Sequence, residues 1–142
     1  MRGLVRKLAK ALLPAAVIAA LACGEFSDML ALQRGLVHQF GIDAVSINVN
    51  NGNVLTVTFT NSQAATLPDP DRAAFARRVA EFVRDHYREY SSLVRVNVGF
   101  ARVSSAGLVT ISHTDVPYSF TTADLGTPRD TTESGNKRKA AA

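Results

Sequence analysis

The run Ser112-His113-Thr114-Asp115 is where the sequence could set an acid beside a histidine. Residues two apart on a β-strand share a face, so Asp115 could orient His113 as a general base. Nucleophilic catalysis also needs an activated hydroxyl and donors for an oxyanion, and the sequence contains no Gly-x-Ser-x-Gly elbow. A polar strand end before Pro117 is the simpler interpretation. A secreted hydrolase or metal-dependent enzyme using His113 and Asp115 is the alternative.

Three histidines, His38, His86 and His113, lie on three different predicted elements. Three imidazoles and a water would suit zinc. Their spacing contains no i,i+4 pair, and no cysteine stands near them as a further ligand. We therefore predict partly buried structural histidines, with no metal, no cofactor and no catalytic residue.

The chain opens with a basic segment and an apolar run. Arg2, Arg6, Lys7 and Lys10 precede the uncharged residues 12–22, which is the layout of a secretory signal. The run is shorter than the roughly 20 residues that a permanent membrane-spanning helix needs. Residues 1–22 are thus predicted to be an export signal and not an anchor helix.

Cys23, the only cysteine of the chain, follows this run directly. A lone cysteine in an exported protein has no disulfide partner. The sequence Ala20-Leu21-Ala22-Cys23 resembles the lipobox of bacterial lipoproteins, in which the cysteine is acylated on sulfur and becomes the new N-terminus. The resemblance covers residues 1–23 and implies lipidation of Cys23, and Gly24 implies sorting to the outer membrane, facing the periplasm. An ordinary signal that ends at a small residue is the alternative.

The positive charge belongs to the two ends of the chain. The sequence has 16 basic and 12 acidic residues, and residues 1–22 hold four of the basic ones and none of the acidic ones. The chain from residue 23 onward is therefore neutral, although it carries the basic cluster Lys137-Arg138-Lys139 in a polar tail. Nucleic-acid binding needs a concentrated basic field, so we exclude that class.

Two stretches have the three- and four-residue spacing of amphipathic helices. Ser27 is placed to cap the first helix and Gly41 to end it, and its apolar positions are Met29, Leu32, Leu36, Val37 and Phe40. Asp69 is the predicted cap of the second helix, with Pro70 as its first helical residue. Its apolar stripe consists of Phe75, Val79, Phe82, Val83, His86 and Tyr90.

Two further stretches alternate with period two and predict hairpins. In the first, a three-residue loop Asn50-Asn51-Gly52 in a type I turn would set Ile47 opposite Leu55. In the second, a four-residue loop over 104–107 would set Phe100 opposite Ile111. The segment 116–120 is predicted either to extend the last strand past a proline irregularity or to pack over a sheet edge.

The outward positions of these strands carry mostly small, uncharged hydrogen-bonding side chains, with Arg95 as the exception. They are Ser46, Asn48, Thr56, Thr58, Thr60, Arg95, Asn97, Thr110 and Ser112, of which Asn48, Thr56, Thr58, Thr60 and Asn97 are the predicted binding surface. Antiparallel sheets commonly leave one face to water, so simple solvation is the competing interpretation.

Together these patterns predict an α+β fold. We expect a two-layer sandwich in which two α-β-β units form a four-stranded, mostly antiparallel sheet with two helices on one face. The predicted organisation is a signal peptide at 1–22, a lipid-anchor tether at 23–26, one domain at 27–120 and a disordered polar tail at 121–142. We expect the protein to be a membrane-anchored bacterial envelope lipoprotein that acts as a non-catalytic binding or scaffolding module. Its expected partners are the membrane, through the acyl chains, and an envelope protein or a glycan.

Overall fold

The computed structural model describes Gly24 and residues 26–129, apart from the side chains of residues 106 and 109. Helix α1 spans residues 26–40 and is followed by strands β1 (Val45–Asn50) and β2 (Val54–Thr60). Helix α2 (Asp69–His86) lies between two 3-10 turns, Gln63–Thr66 and Tyr90–Ser92. Strands β3 (Arg95–Ala106), β4 (Val109–Thr114) and β5 (Tyr118–Thr121) come next, and the short helix α3 (Thr122–Leu125) closes the fold. The predicted α+β class is confirmed.

The helix boundaries follow local sequence signals with small shifts. Gly41 ends α1 at a φ of +65°, and its N–H donates to the Val37 carbonyl, as predicted. Ser27 lies within α1 and does not cap it, because Phe26 is already helical. In α2 the cap is Pro68, and Asp69 is the first helical residue. The Asp69 carboxylate is therefore free to bond elsewhere.

The β1–β2 hairpin differs from its predicted register. Its loop does contain three residues, but Ile47 pairs with Val57 and Val49 with Leu55, a shift of two positions. The reason lies in the turn, where Asn51 and Gly52 both have positive φ, as in a type I′ turn. The Asn53 N–H closes it on the Asn50 carbonyl at 3.2 Å. A two-residue shift preserves the faces, so the predicted inward and outward residues are unchanged.

The sheet has five strands in the order β1-β2-β3-β4, with β5 also on β3, where four strands were predicted. Three of its four pairings are antiparallel, and β2 pairs with β3 in parallel. The parallel pairing arises because α2 carries the chain back along the sheet between these strands.

The last part of the sheet is a long hairpin with a bulge. Its loop is Gly107-Leu108 and not the predicted 104–107, so Ile111 pairs with Ser104 instead of Phe100. Strand β5 then pairs with the first half of β3, Val98 facing Tyr118. Three residues, 115–117, face only Gly99 and Phe100 of β3, which is a β-bulge. The predicted strand extension past Pro117 is confirmed.

One hydrophobic core joins the inward strand residues to both long helices. It includes the following residues: Leu32, Leu36, Leu55, Val57, Phe59, Phe75, Val79, Val83, Val96, Val98 and Phe100. Gly35 lets α1 approach α2, since a Cβ there would lie 2.9 Å from Phe82 Cζ. The histidine at the end of the α2 stripe, His86, stacks on Phe82 with ring centroids 4.0 Å apart.

The predicted boundary of the domain at residue 120 is wrong. Thr121 caps α3 through a reciprocal capping box with Asp124, and Leu125 is buried in the core at 5% exposure. The polar composition of the segment concealed this single apolar anchor. The rest of the predicted disordered tail, 130–142, lies outside the described residues.

Candidate functional site

A row of small polar residues crosses the sheet on the face opposite the core. Register pairs Asn48 with Thr56, Thr56 with Asn97, and Asn97 with Ser119, so the row spans four adjacent strands. Neighbouring strands lie about 4.8 Å apart, which spaces the side chains evenly. Ser119 Oγ donates to Asn97 Oδ1 at 2.9 Å. We call these four residues the polar row.

The other predicted surface residues lie in adjoining positions of the same face. Thr58 pairs with Ser46 on one side and with Gly99 on the other, and Thr60 pairs with Ala101. A Cβ built on Gly99 would lie 3.8 Å from both Thr58 Oγ1 and Pro117 Cβ, which is ordinary contact. Gly99 therefore leaves a shallow step beside the polar row that an added methyl group would fill without a clash.

The five predicted residues thus share one face, while Thr110 and Ser112 lie on β4 beyond the end of β2. Sequence reasoning missed Ser119. Its signal was the alternation of Tyr118, Ser119 and Phe120, in which the two aromatic residues pack against the core and the serine is exposed.

The predicted contact between His113 and Asp115 is present. His113 Nε2 lies 3.2 Å from Asp115 Oδ1, and the imidazole is 72% exposed. The other carboxylate oxygen of Asp115 lies 3.4 Å from Arg72 Nη1 and 3.9 Å from Arg102 Nη2. Within the described residues, no serine, threonine or cysteine side chain is hydrogen-bonded to His113.

Asp115 joins an ionic cluster that ties α2 to the bulge. Tyr118 Oη donates to Asp69 Oδ1 at 2.5 Å and accepts from Arg72 Nε at 3.0 Å. The Tyr118 hydroxyl, followed by the Arg72 guanidinium, holds the pKa of Asp69 below its ordinary value. The same hydrogen bond to Asp69 raises the pKa of Tyr118. Each polar group in this cluster is satisfied by another, which is the arrangement of a structural clasp.

The histidines are not brought together. His38 on α1 and His86 on α2 are exposed, like His113, so the predicted partial burial of the histidines is wrong. His86 Nδ1 lies 3.0 Å from the Phe82 carbonyl oxygen. Over the described residues, no group of three His, Cys, Asp or Glu side chains could hold a metal ion.

A second ionic pair, which sequence reasoning missed, holds the C-terminal segment. Arg84 is 3% exposed and donates to both oxygens of Asp85, at 2.7 and 2.8 Å. Its remaining Nη1 donates to the Leu125 carbonyl at 2.8 Å, and Tyr90 Oη donates to the Gly126 carbonyl at 3.2 Å. The hydrogen bonds from Arg84 lower the pKa of Asp85. A buried arginine bonded to its own neighbour leaves no periodic trace in a sequence.

An open cleft of about 720 Å³ lies at the start of α1. Its walls include Phe26 and Met29 of α1, Ile47 and Val49 of β1, and Tyr87 after α2. Phe26 is 64% exposed. Asn48, Gly52, Glu89 and Ser92 complete the lining, and we call these nine residues the basal cleft.

Cys23 and the proposed signal lie outside the described residues. In the part of the chain that the structure describes, no helix is long and apolar enough to cross a membrane.

Comparison with known proteins yields no relative from which a function could be inferred. No family model matches the chain, and no curated protein or solved structure matches it. The function must therefore be argued from the residues and their geometry.

Proposed function

We propose that this protein is a lipid-anchored module of the bacterial cell envelope that binds a partner through the polar row and the threonines beside it. The anchor is Cys23, acylated and exposed as the N-terminus after removal of residues 1–22. The proposed location is the outer membrane, facing the periplasm, because Gly24 follows the cysteine.

The support for the anchor is the sequence alone. A basic segment, an uncharged run and Ala20-Leu21-Ala22-Cys23 follow one another in the order that a lipoprotein signal has. Acyl chains contribute about 0.8 kcal/mol per buried methylene, so two or more of them hold a small domain on a membrane stably.

The observation that carries the binding role is the unbroken polar row. Four adjacent strands present amide and hydroxyl groups at matching positions, and the row contains no charged residue. Neutral donors and acceptors in a regular array suit a hydrogen-bonding partner, either an envelope protein or a glycan, better than an ionic ligand. On one side the residues next to the row are small (Ser46, Thr58 and Gly99), so a partner can approach the backbone closely there, whereas Arg95 flanks the row on the other side.

A crosslinking experiment tests this function. A photoreactive residue replaces Thr56 in the centre of the row, and the control carries the same residue at Gln63, which is exposed on the 3-10 turn after β2. The proposal predicts that position 56 captures a discrete protein or glycan in living cells and that position 63 does not. Equal capture at both positions, or capture at neither, would contradict it.

A paired variant checks the same surface by affinity. Thr56→Lys with Thr58→Lys places two long cations on the face, whereas Gln39→Lys with Gln63→Lys adds the same charge at exposed sites elsewhere. We expect the first pair to abolish recovery of the crosslinked partner and the second to preserve it. Retention of the partner by the Thr56→Lys, Thr58→Lys protein would contradict the proposal that this face binds the partner.

The alternative function, hydrolysis or metal-dependent catalysis at His113 and Asp115, is favoured by one observation, the 3.2 Å contact between them. It predicts that purified protein holds stoichiometric metal, or that His113→Ala abolishes a measurable hydrolytic activity while circular dichroism stays unchanged. An activity that survives His113→Ala would remove this alternative.

A further inference from the structure

The basal cleft and the proposed acylation site lie at the same end of the molecule. Gly24 is already helical, so residue 23 immediately precedes described helix. Residue 23 is bonded to Gly24, and three residues span at most about 10 Å, so Phe26 lies within that distance of the proposed acylation site. An acyl chain on Cys23 would therefore enter the bilayer beside the exposed Phe26 ring.

The tip of the β3–β4 hairpin lies at the opposite end of the sheet from the basal cleft. The basal cleft includes Gly52 of the β1–β2 turn in its wall, and β3 begins next to that turn, with Arg95 paired to Val54. Strand β3 then runs 12 residues to the loop that carries Leu108. At about 3.3 Å per residue this separation is roughly 36 Å. Leu108 is fully exposed at the far tip.

The charges around the basal cleft favour an apolar contact over an electrostatic one. Asp28 and Arg88 lie 3.8 Å apart and offset each other, and Glu89 is part of the cleft wall. This end therefore offers an anionic lipid headgroup no excess of positive charge. An exposed aromatic ring beside an acylated residue nevertheless gains by moving out of water into the interfacial region.

We propose that the basal cleft is the membrane-contacting surface of this protein, with the Phe26 side chain inserted among the lipids. The occupant is the bilayer that receives the acyl chains of Cys23, so this inference rests on the proposed acylation. The long hairpin then points away from the membrane, and Asn48, which belongs to both the polar row and the basal cleft, is the residue of the row nearest the bilayer. Contact of this kind fixes the orientation of the domain, which a flexible tether would not.

Tryptophan fluorescence tests the orientation, because the chain contains no tryptophan. Acylated protein carrying Phe26→Trp is reconstituted into phosphatidylcholine vesicles that contain brominated lipids. Leu108→Trp, at the opposite tip, is the matched control. Intact mass of each sample establishes acylation before the measurement.

An aromatic ring at the membrane interface lies about 5–10 Å into the headgroup and acyl boundary, so we expect brominated lipids to quench the emission of the Phe26→Trp protein more strongly than that of the Leu108→Trp protein. The emission of the Leu108→Trp protein stays close to its value in ordinary vesicles. Raising the salt concentration leaves the quenching of the Phe26→Trp protein unchanged, because the contact is apolar.

The outcomes separate this inference from the function on which it rests. Acylated, vesicle-bound Phe26→Trp protein that is quenched no more than the Leu108→Trp control would overturn the inference and leave the anchor standing. Protein without acyl chains would overturn the anchor and the inference together. Stronger quenching of the Leu108→Trp protein would reverse the proposed orientation and so contradict the inference.

Discussion

Replacing Asp85 by asparagine tests whether the buried arginine pair holds the C-terminal segment. The change preserves the shape of the side chain but removes the charge that neutralises Arg84, which is 3% exposed. Arg84 would keep its bond to the Leu125 carbonyl and lose at least one of the two short bonds to the carboxylate. Breaking a buried ion pair by removing one partner costs about 3–5 kcal/mol.

We expect the free energy of unfolding of Asp85→Asn to fall by about 3 kcal/mol, at the lower end of that range, because Asp85 is 15% exposed. A loss of that size lowers the Tm of a domain of about 100 residues by roughly 12 °C. Urea titration at pH 7, followed by circular dichroism, gives the free energy directly. Asp43→Asn, the same change at an exposed aspartate, is the control, and it should alter the free energy of unfolding by less than about 0.5 kcal/mol.

The pH dependence gives a second readout of the same pair. Arg84 lowers the pKa of Asp85 in the folded state, so the carboxylate stabilises the fold above its unfolded pKa. That stabilisation is lost as the pH falls below about 4, the ordinary aspartate value, towards the lowered folded pKa. The gap between wild type and Asp85→Asn should therefore narrow below pH 4. A loss under about 1 kcal/mol at pH 7, or a gap that is constant with pH, would refute the buried pair.

Single contacts give three further predictions. Leu125→Ala should lower the free energy of unfolding by about 2–4 kcal/mol in urea titration, because Leu125 is buried. An unchanged free energy would instead support the prediction that the segment after residue 120 is a disordered tail. Gly99→Ala should raise that free energy by about 0.5–1 kcal/mol, since the added Cβ meets only ordinary contacts. A lower free energy of unfolding would show that the space beside Gly99 has no room for a methyl group. Tyr118→Phe should raise the pKa of Asp69 towards its ordinary value in an NMR titration, because the hydroxyl is the first cause of its lowering, and an unchanged pKa would place that cause elsewhere.

Periodicity predicted the faces of the strands and helices but not how the strands pair. The inward residues Val57 and Val98 lie where alternation put them, because the two-residue period depends only on local geometry. The registers of both hairpins were missed, since they depend on the φ angles at Asn51 and Gly107. A preference for Asn-Gly in type I′ turns was the available signal for the first hairpin.

For the candidate site too, the shared face was predictable from the sequence and the alignment of the residues was not. Alternation placed Asn48, Thr56 and Asn97 on one face, but only the observed register aligns them into a row. Ser119 joins them because a one-residue bulge lets β5 pair with β3. The clasp between Asp69 and Tyr118 joins residues 49 apart, a separation that no periodic pattern reports.

The account depends most on the chemistry of Cys23, and intact mass spectrometry of the protein purified from membranes tests it directly. The account predicts a chain that begins at residue 23 and carries acyl groups on its first residue. A chain that begins at residue 23 with an unmodified thiol, or one that retains residues 1–22, would contradict it.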